Sequence, residues 1–149
     1  MVDALTDHVR FHGARFAPPT TLIDTSVLSF VDRTGTPTLS LTVAQEPHAG
    51  GASALKVYVD EQQRAAQQAV PGYATLAQTE RKVGGALAWL GERSAPSPGK
   101  KRQVIQLYVL DAARGRVFVV TATAVEADAA RARAAVERIA NTFTLEGTA

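Results

Sequence analysis

The chain has no cysteine among its 149 residues. Disulfides, a thiolate nucleophile and a cysteine-based zinc site are therefore excluded, and the composition suits a reducing compartment. Histidine is scarce too, at three residues. His8 and His12 flank a predicted strand, where their spacing separates them by about 13 Å, which argues against a shared metal. His48 falls in a predicted loop with only Glu46 near it in sequence. The chain also lacks a G-x-S-x-G turn and any Gly-rich phosphate loop of Walker or dinucleotide type. No catalytic residue, cofactor or metal is assigned, and the expectation is a protein that is not an enzyme.

Long apolar runs are missing as well, with nothing near the roughly 18 residues that span a bilayer. The opening MVDALTDHVRF has neither a positive n-region nor an apolar h-region. With no cysteine to carry a lipid, the expected location is the cytoplasm. Charge of one sign is not in excess: 16 basic against 14 acidic residues leave +2, too little to argue for nucleic acid. The one basic cluster, Lys100-Lys101-Arg102, follows Pro96-Ser97-Pro98-Gly99 and reads as a solvated loop.

What the chain does have is β-forming sequence. Residues 103–124, QVIQLYVLDAARGRVFVVTATA, read as two long strands reversed at Ala113-Arg114-Gly115. So apolar a hairpin belongs in the middle of a sheet, because at an edge it would invite aggregation. Residues 9–16 read as a first strand at the sheet margin, ending at Pro18-Pro19. Residues 21–31 and 38–44 form the second and third strands around a Thr34-Gly35-Thr36-Pro37 turn. Residues 73–83 and 86–92 pair through Gly84-Gly85, and residues 94–101 form a loop. The first helix spans residues 54–69, capped by Ser53, with Leu55, Tyr58, Val59, Gln62, Ala66 and Ala69 on or beside one stripe. A second, residues 126–141, presents Ala132, Ala135, Val136, Ile139 and Ala140. The length fits a single domain, residues 1–149. Short turns between successive strands make the fold α+β with a mostly antiparallel sheet of about six to seven strands and two main helices.

One sheet face is unusual. In the third strand Ser40 and Thr42 oppose Leu39, Leu41 and Val43. In the sixth strand Gln106 alternates with Val104 and Tyr108, and in the seventh Thr121 and Thr123 share a face with Val117 and Val119. With both helices on one side of the sheet, the other side is broad and mixes apolar groups with hydroxyls and amides. That composition fits an ordinary solvated antiparallel face, and it equally fits a partner surface. By parity, Ile23, Ser40, Thr42, Val104, Tyr108 and Thr121 are its candidate contacts, although residues 22–31 supply apolar groups to both faces.

Several segments together resemble the DcrB-like family, which has the PsbP-like α/β/α sandwich fold. They are Phe11-His12-Gly13-Ala14-Arg15-Phe16 before Pro18-Pro19, Asp24-Thr25-Ser26-Val27 before Phe30-Val31, and Tyr58-Val59-Asp60-Glu61-Gln62 before Pro71-Gly72-Tyr73. Gly84-Gly85, Gln106-Leu107-Tyr108-Val109 and the segment from Val117 to Thr123 complete the series. Many members of that family are envelope lipoproteins, and the absence of cysteine departs from them. The chain is more similar to the short cytoplasmic Eag chaperones of type VI secretion. That resemblance implies a homodimer whose grooved sheets bind and shield the hydrophobic N-terminal transmembrane helices of a PAAR or Rhs effector before export. It singles out Gln106, in the matching Gln-Leu-aromatic-Val segment, and Gln62, beside the matching Tyr-Val, as partner contacts. The competing expectation is a soluble DcrB/PsbP-like accessory protein that binds a folded partner.

Overall fold

The computed structural model describes residues 9–11, 14–16, 27–31, 39–97 and 100–145. Ile23, His8 and His12 lie outside them. The element order is β1 (Val9–Phe11), β2 (Ala14–Phe16), β3 (Val27–Val31), β4 (Leu39–Pro47), α1 (Leu55–Ala69), β5 (Ala74–Val83), β6 (Ala86–Ser97), β7 (Lys100–Asp111), β8 (Arg116–Val125) and α2 (Ala129–Thr142). Six strands form one antiparallel sheet in the order β3-β4-β8-β7-β6-β5. The hairpin β7–β8 occupies its two central positions, as its apolar composition requires. The first predicted strand is instead two short strands, β1 and β2, paired with each other in a separate sheet. The predicted loop at residues 94–101 is strand up to the Ser97↔Lys100 pair. Cross-strand pairing satisfies backbone groups that a loop would leave to water.

Two of the hairpin reversals, β5–β6 and β7–β8, use glycines with positive φ. Gly84 and Gly85, at φ 54° and 81°, turn β5 into β6, and Gly115, at φ 61°, closes a 3-10 turn between β7 and β8. Such angles are costly for any residue with a Cβ. At Gly84 a Cβ would also meet the Phe143 carbonyl oxygen at 2.7 Å. Phe143 sits there because its ring packs edge-on against Phe118 at 5.3 Å. The sharp end of the β7–β8 hairpin is held by Asp111, which is buried and accepts from Arg116 at 2.9 Å and from Arg114 at 3.4 Å.

The helices lie on opposite faces, not on one. Leu55 and Val59 of α1 pack on Tyr108, Leu110 and Val117. Ala132, Val136 and Ala140 of α2 pack on the other parity of the same strands, with Ile105, Leu107, Val109, Val120 and Ala122. A strand apolar on both faces asks for cover on both, which is what the runs Val104–Leu110 and Val117–Val120 provide. The Ser53 cap does not form: Ser53 lies in a 3-10 turn, and Ala54 precedes α1 with no side-chain cap. The inward row of α1 is Leu55, Val59 and Gln63, at a spacing of four, which leaves Gln62 and Ala69 exposed.

Candidate partner-binding face

Strand register gathers Ser40, Thr42, Val104, Tyr108 and Thr121, all chosen by parity, on the sheet face that carries α1. Thr42 pairs with Thr121 and Ser40 with Thr123 across β4–β8. Gln106 pairs with Thr121, Val104 with Thr123 and Tyr108 with Val119 across β7–β8. On β3, Ser29 lies opposite Thr42. Paired residues in an antiparallel sheet share a face, so Ser29, Thr42, Thr121 and Gln106 form one polar row across four strands. The parallel row Val31, Ser40, Thr123 and Val104 runs beside it. Ser40, Thr42, Gln106 and Thr121 are half-buried.

α1 covers only part of this face. Its Tyr58 hydroxyl donates to Glu46 on β4, and its Asp60 accepts from Gln78 on β5 at 3.2 Å. Tyr108 lies beneath the helix, 2% exposed, and Val104 is buried as well. The β3–β4–β8 side of the face continues past the helix to Val27 and Val31, which are 56% and 64% exposed. Gln62 falls one turn beyond Tyr58, on the flank of α1 that overlooks this side. The structure thus joins Ser40, Thr42, Gln106 and Thr121 as a surface, puts Tyr108 and Val104 beneath it, and sets Gln62 on its rim.

Beneath the face runs a polar network. Gln63 Nε2 donates to Gln106 Oε1 and to the Tyr108 hydroxyl, both at 3.0 Å. Gln63 Oε1 accepts from the Tyr73 hydroxyl at 3.0 Å and from Arg93 Nε. The Tyr108 hydroxyl donates to Gln106 Oε1 at 3.2 Å, and Gln106 Nε2 donates to Thr121 Oγ1 at 3.4 Å. Arg93 is fully buried. Its guanidinium donates to the carbonyls of Ala77 and Glu92 and to Gln78 Oε1 at 3.0–3.2 Å. Among the described residues it meets no carboxylate directly; Asp60 is reached only through Gln78. Burial accordingly pulls the Arg93 pKa below its ordinary value and pushes Tyr108 up to about 12. Gly91 makes room for the guanidinium, since a Cβ there would collide with it. Gln63, Arg93 and Gly91 were not singled out in the sequence, and Tyr73 entered only through the family-like Pro71-Gly72-Tyr73 segment. Two signals were present: Gln63 stands four residues after Val59, and a lone glycine inside a strand marks a close approach.

The opposite face holds a cavity of about 290 Å³ between α2 and β5–β6, floored by Ala77, Leu90 and Ile105. Its rim carries the Arg133–Glu92 and Arg81–Glu137 ion pairs. His48 Nε2 donates to the Gly51 carbonyl at 3.1 Å and the ring packs edge-on against Tyr58, which makes it part of the loop's own packing. Among the described residues no three of His, Cys, Asp and Glu gather as a metal-holding group. No helix of the described chain is long and apolar enough to cross a membrane.

The DcrB family model matches residues 14–142. The chain belongs to the DcrB family. None of the curated proteins matches it. Among solved structures it is similar to PA94 from Pseudomonas aeruginosa, a protein of unknown function described as a candidate regulator. That match has a TM-score of 0.77 at 22% identity and covers 95% of this chain and 97% of the other. It is also similar to cyanobacterial PsbP (CyanoP) from Synechocystis sp. PCC 6803, with a TM-score of 0.54 at 10% identity, covering 85% and 82%. A third likeness is LpqN of Mycobacterium tuberculosis, described as involved in cell envelope biogenesis, with a TM-score of 0.50 at 17% identity, covering 76% and 80%. At these identities the likenesses concern the fold, and this DcrB-family chain has the PsbP-like one.

Proposed function

We propose that this DcrB-family protein is a binding module that shields an apolar helix of a partner, in the manner of the Eag chaperones of type VI secretion it resembles. The observation that carries the reading is the row Ser29, Thr42, Thr121 and Gln106, half open beside exposed Val27 and Val31. A transmembrane helix in water exposes apolar surface worth roughly 25 cal/mol per Å². Such helices pack on neighbours through small residues and hydroxyl or amide contacts. A face mixing valines with Thr, Ser and Gln offers both, and its polar contacts are exchangeable when the helix moves on to a membrane. The reading includes no turnover, a cytoplasmic site of action and a homodimer.

The edge strand β3 offers a dimer contact. All five of its residues, VLSFV, are exposed. Antiparallel pairing with a second copy about Ser29 sets Leu28 opposite Phe30 and Val27 opposite Val31, and would join two such faces into one. The same edge favours the second reading, an accessory protein that adds a strand from a folded partner.

The test is recovery of partners on the tagged protein from its native host without detergent. A dominant partner with N-terminal apolar spans, lost when those spans are deleted, supports the helix-shielding role. Gln106→Glu and Thr42→Asp should each abolish that capture while leaving the thermal midpoint within a few degrees of wild type. Undiminished capture by both variants removes this face from the account. Recovery of a partner without apolar spans supports the accessory role instead.

A further inference from the structure

We infer that Arg93 is a positioning residue that fixes the polarity of Gln106, so that the face presents a hydrogen-bond donor and selects a partner group that accepts. The inference rests on the proposed helix-binding role for its biological meaning, and on the buried network for its argument.

Arginine has donors and no acceptor. Arg93 Nε therefore requires an oxygen, and Gln63 Oε1 supplies it. The Tyr73 hydroxyl donates to the same oxygen at 3.0 Å. Gln63 must then turn its Nε2 the other way, and both of its N–H groups are used, on Gln106 Oε1 and on the Tyr108 hydroxyl. The Tyr108 oxygen, having accepted, passes its own hydrogen to Gln106 Oε1. That oxygen now holds two bonds, which fills it. Gln106 is left with Nε2 outward. One N–H goes to Thr121 Oγ1 at 3.4 Å, and the other has no acceptor among the described residues. Turning either amide over would set N–H against N–H below a helix, and a buried polar group left unmatched is costly.

Two consequences reach the surface. Gln106 shows a free donor, and Thr121, accepting from Gln106, is left to donate its hydroxyl hydrogen. The complementary group on the partner is an acceptor: a side-chain carbonyl, or a backbone carbonyl of a helix laid bare by small residues. An amide on an ordinary exposed strand turns to suit either kind of partner. Here the choice is made by a cation out of sight of the partner, through two amides in series.

Gln63→Glu tests the relay with nearly no change of shape. Its carboxylate gives Arg93 the counter-charge it lacks. The second oxygen then accepts from Tyr108 and from Gln106 Nε2, so Gln106 turns over and shows Oε1. The thermal midpoint should stay level or rise. At the same time the Gln106 side-chain amide hydrogens, followed by NMR, should exchange with water more slowly than in wild type, where one of them is free. The binding probes are two lysine-flanked Leu/Ala helical peptides that differ at one central position, glutamate γ-methyl ester, which only accepts, against leucine. Wild type should bind the ester peptide roughly tenfold tighter, the yield of one hydrogen bond in a dry setting. Gln63→Glu should lose that preference while keeping its stability, a combination that a merely structural Gln63 does not produce.

Unchanged amide exchange in Gln63→Glu overturns the relay, as does equal binding of the two peptides by wild type. Failure of wild type to bind either peptide overturns the helix-shielding role instead, and the amide exchange then decides the relay alone. Should Gln63→Glu not fold, wild type decides by the same NMR: both Gln63 side-chain amide hydrogens should be protected and one Gln106 hydrogen free, and a Gln63 amide that exchanges as fast as an exposed glutamine overturns the relay.

Discussion

The three tyrosines are the chain's only phenols, and each is held neutral by its surroundings. Burial raises Tyr58, and its bond to Glu46 adds to the rise. Burial raises Tyr73 as well and lifts Tyr108 to about 12 from an ordinary 10.0. Below pH 10 folded and unfolded chains hold these protons equally. Above it the unfolded chain releases protons that the folded chain keeps, so stability falls as pH rises. The expected result is alkaline unfolding between about pH 10 and pH 12. Tyrosinate absorbance should appear late in the native protein and near pH 10 in denaturant. A native titration centred at 10 would show that these phenols are not buried and bonded as described. At the acid end the sign reverses for Asp60, whose pKa is lowered by its bond to Lys56; its contribution fades as pH falls through that lowered value. Gln62 is exposed and Gln63 is buried. The two are neighbours in sequence, and a rotation of 100° decides between water and core. Helical spacing from Tyr58 and the resemblance to the family both point to Gln62, while the spacing of four from Val59 gives Gln63, the one the structure buries.

α1 docks through few side chains, and this sets its stability apart from that of α2. Its inward row is Leu55, Val59 and Gln63, against four buried positions on α2 backed by Ala135, Ile139 and Phe143. Leu55→Ala removes the end of that short row and should cost about 2–5 kcal/mol, measured by denaturant unfolding. Amide exchange of α1 should speed up first. Equal loss of protection in both helices would mean that α1 is not a separate opening unit. Gly91→Ala tests the bed of the guanidinium on β6: the added methyl collides with Arg93 and should cost about 1–3 kcal/mol. An isolated Gly91 was readable in the sequence as a close approach; what approaches it was not, because Arg93 curls back from two residues along the same strand.

The two edges of the sheet differ in kind. β5 carries Glu80, Arg81 and Lys82 among its residues, and such charges discourage edge-to-edge pairing. β3 carries none, and Phe30 is 53% exposed. Phe30→Lys should therefore leave the thermal midpoint within a few degrees and convert the proposed dimer to a monomer in light scattering. A variant that remains dimeric would place the contact elsewhere, and a wild type that is monomeric would remove the dimer from the proposed function.

Much of the architecture was determined by sequence alone. The segment around Leu107 and Val119 is apolar at both parities, and only the middle of a covered sheet can hold such strands. Glycines at 84, 85 and 115 mark reversals because they alone take positive φ cheaply. Period-two alternation also put Ser40 with Thr42 on one side of their strand and Gln106 with Tyr108 on one side of theirs, while the register across β4, β8 and β7 made those sides one face. Tertiary structure decided which helix covers which face. An amphipathic helix finds an apolar surface on either side of this sheet, and only the path from β4 across to β5, and from β8 onward, selects between them. It alone decided the network as well. Gln63, Arg93 and Gln106 are separated by 30 and 43 positions in the bonds they share, and no local pattern records a hydrogen bond between side chains so distant along the chain.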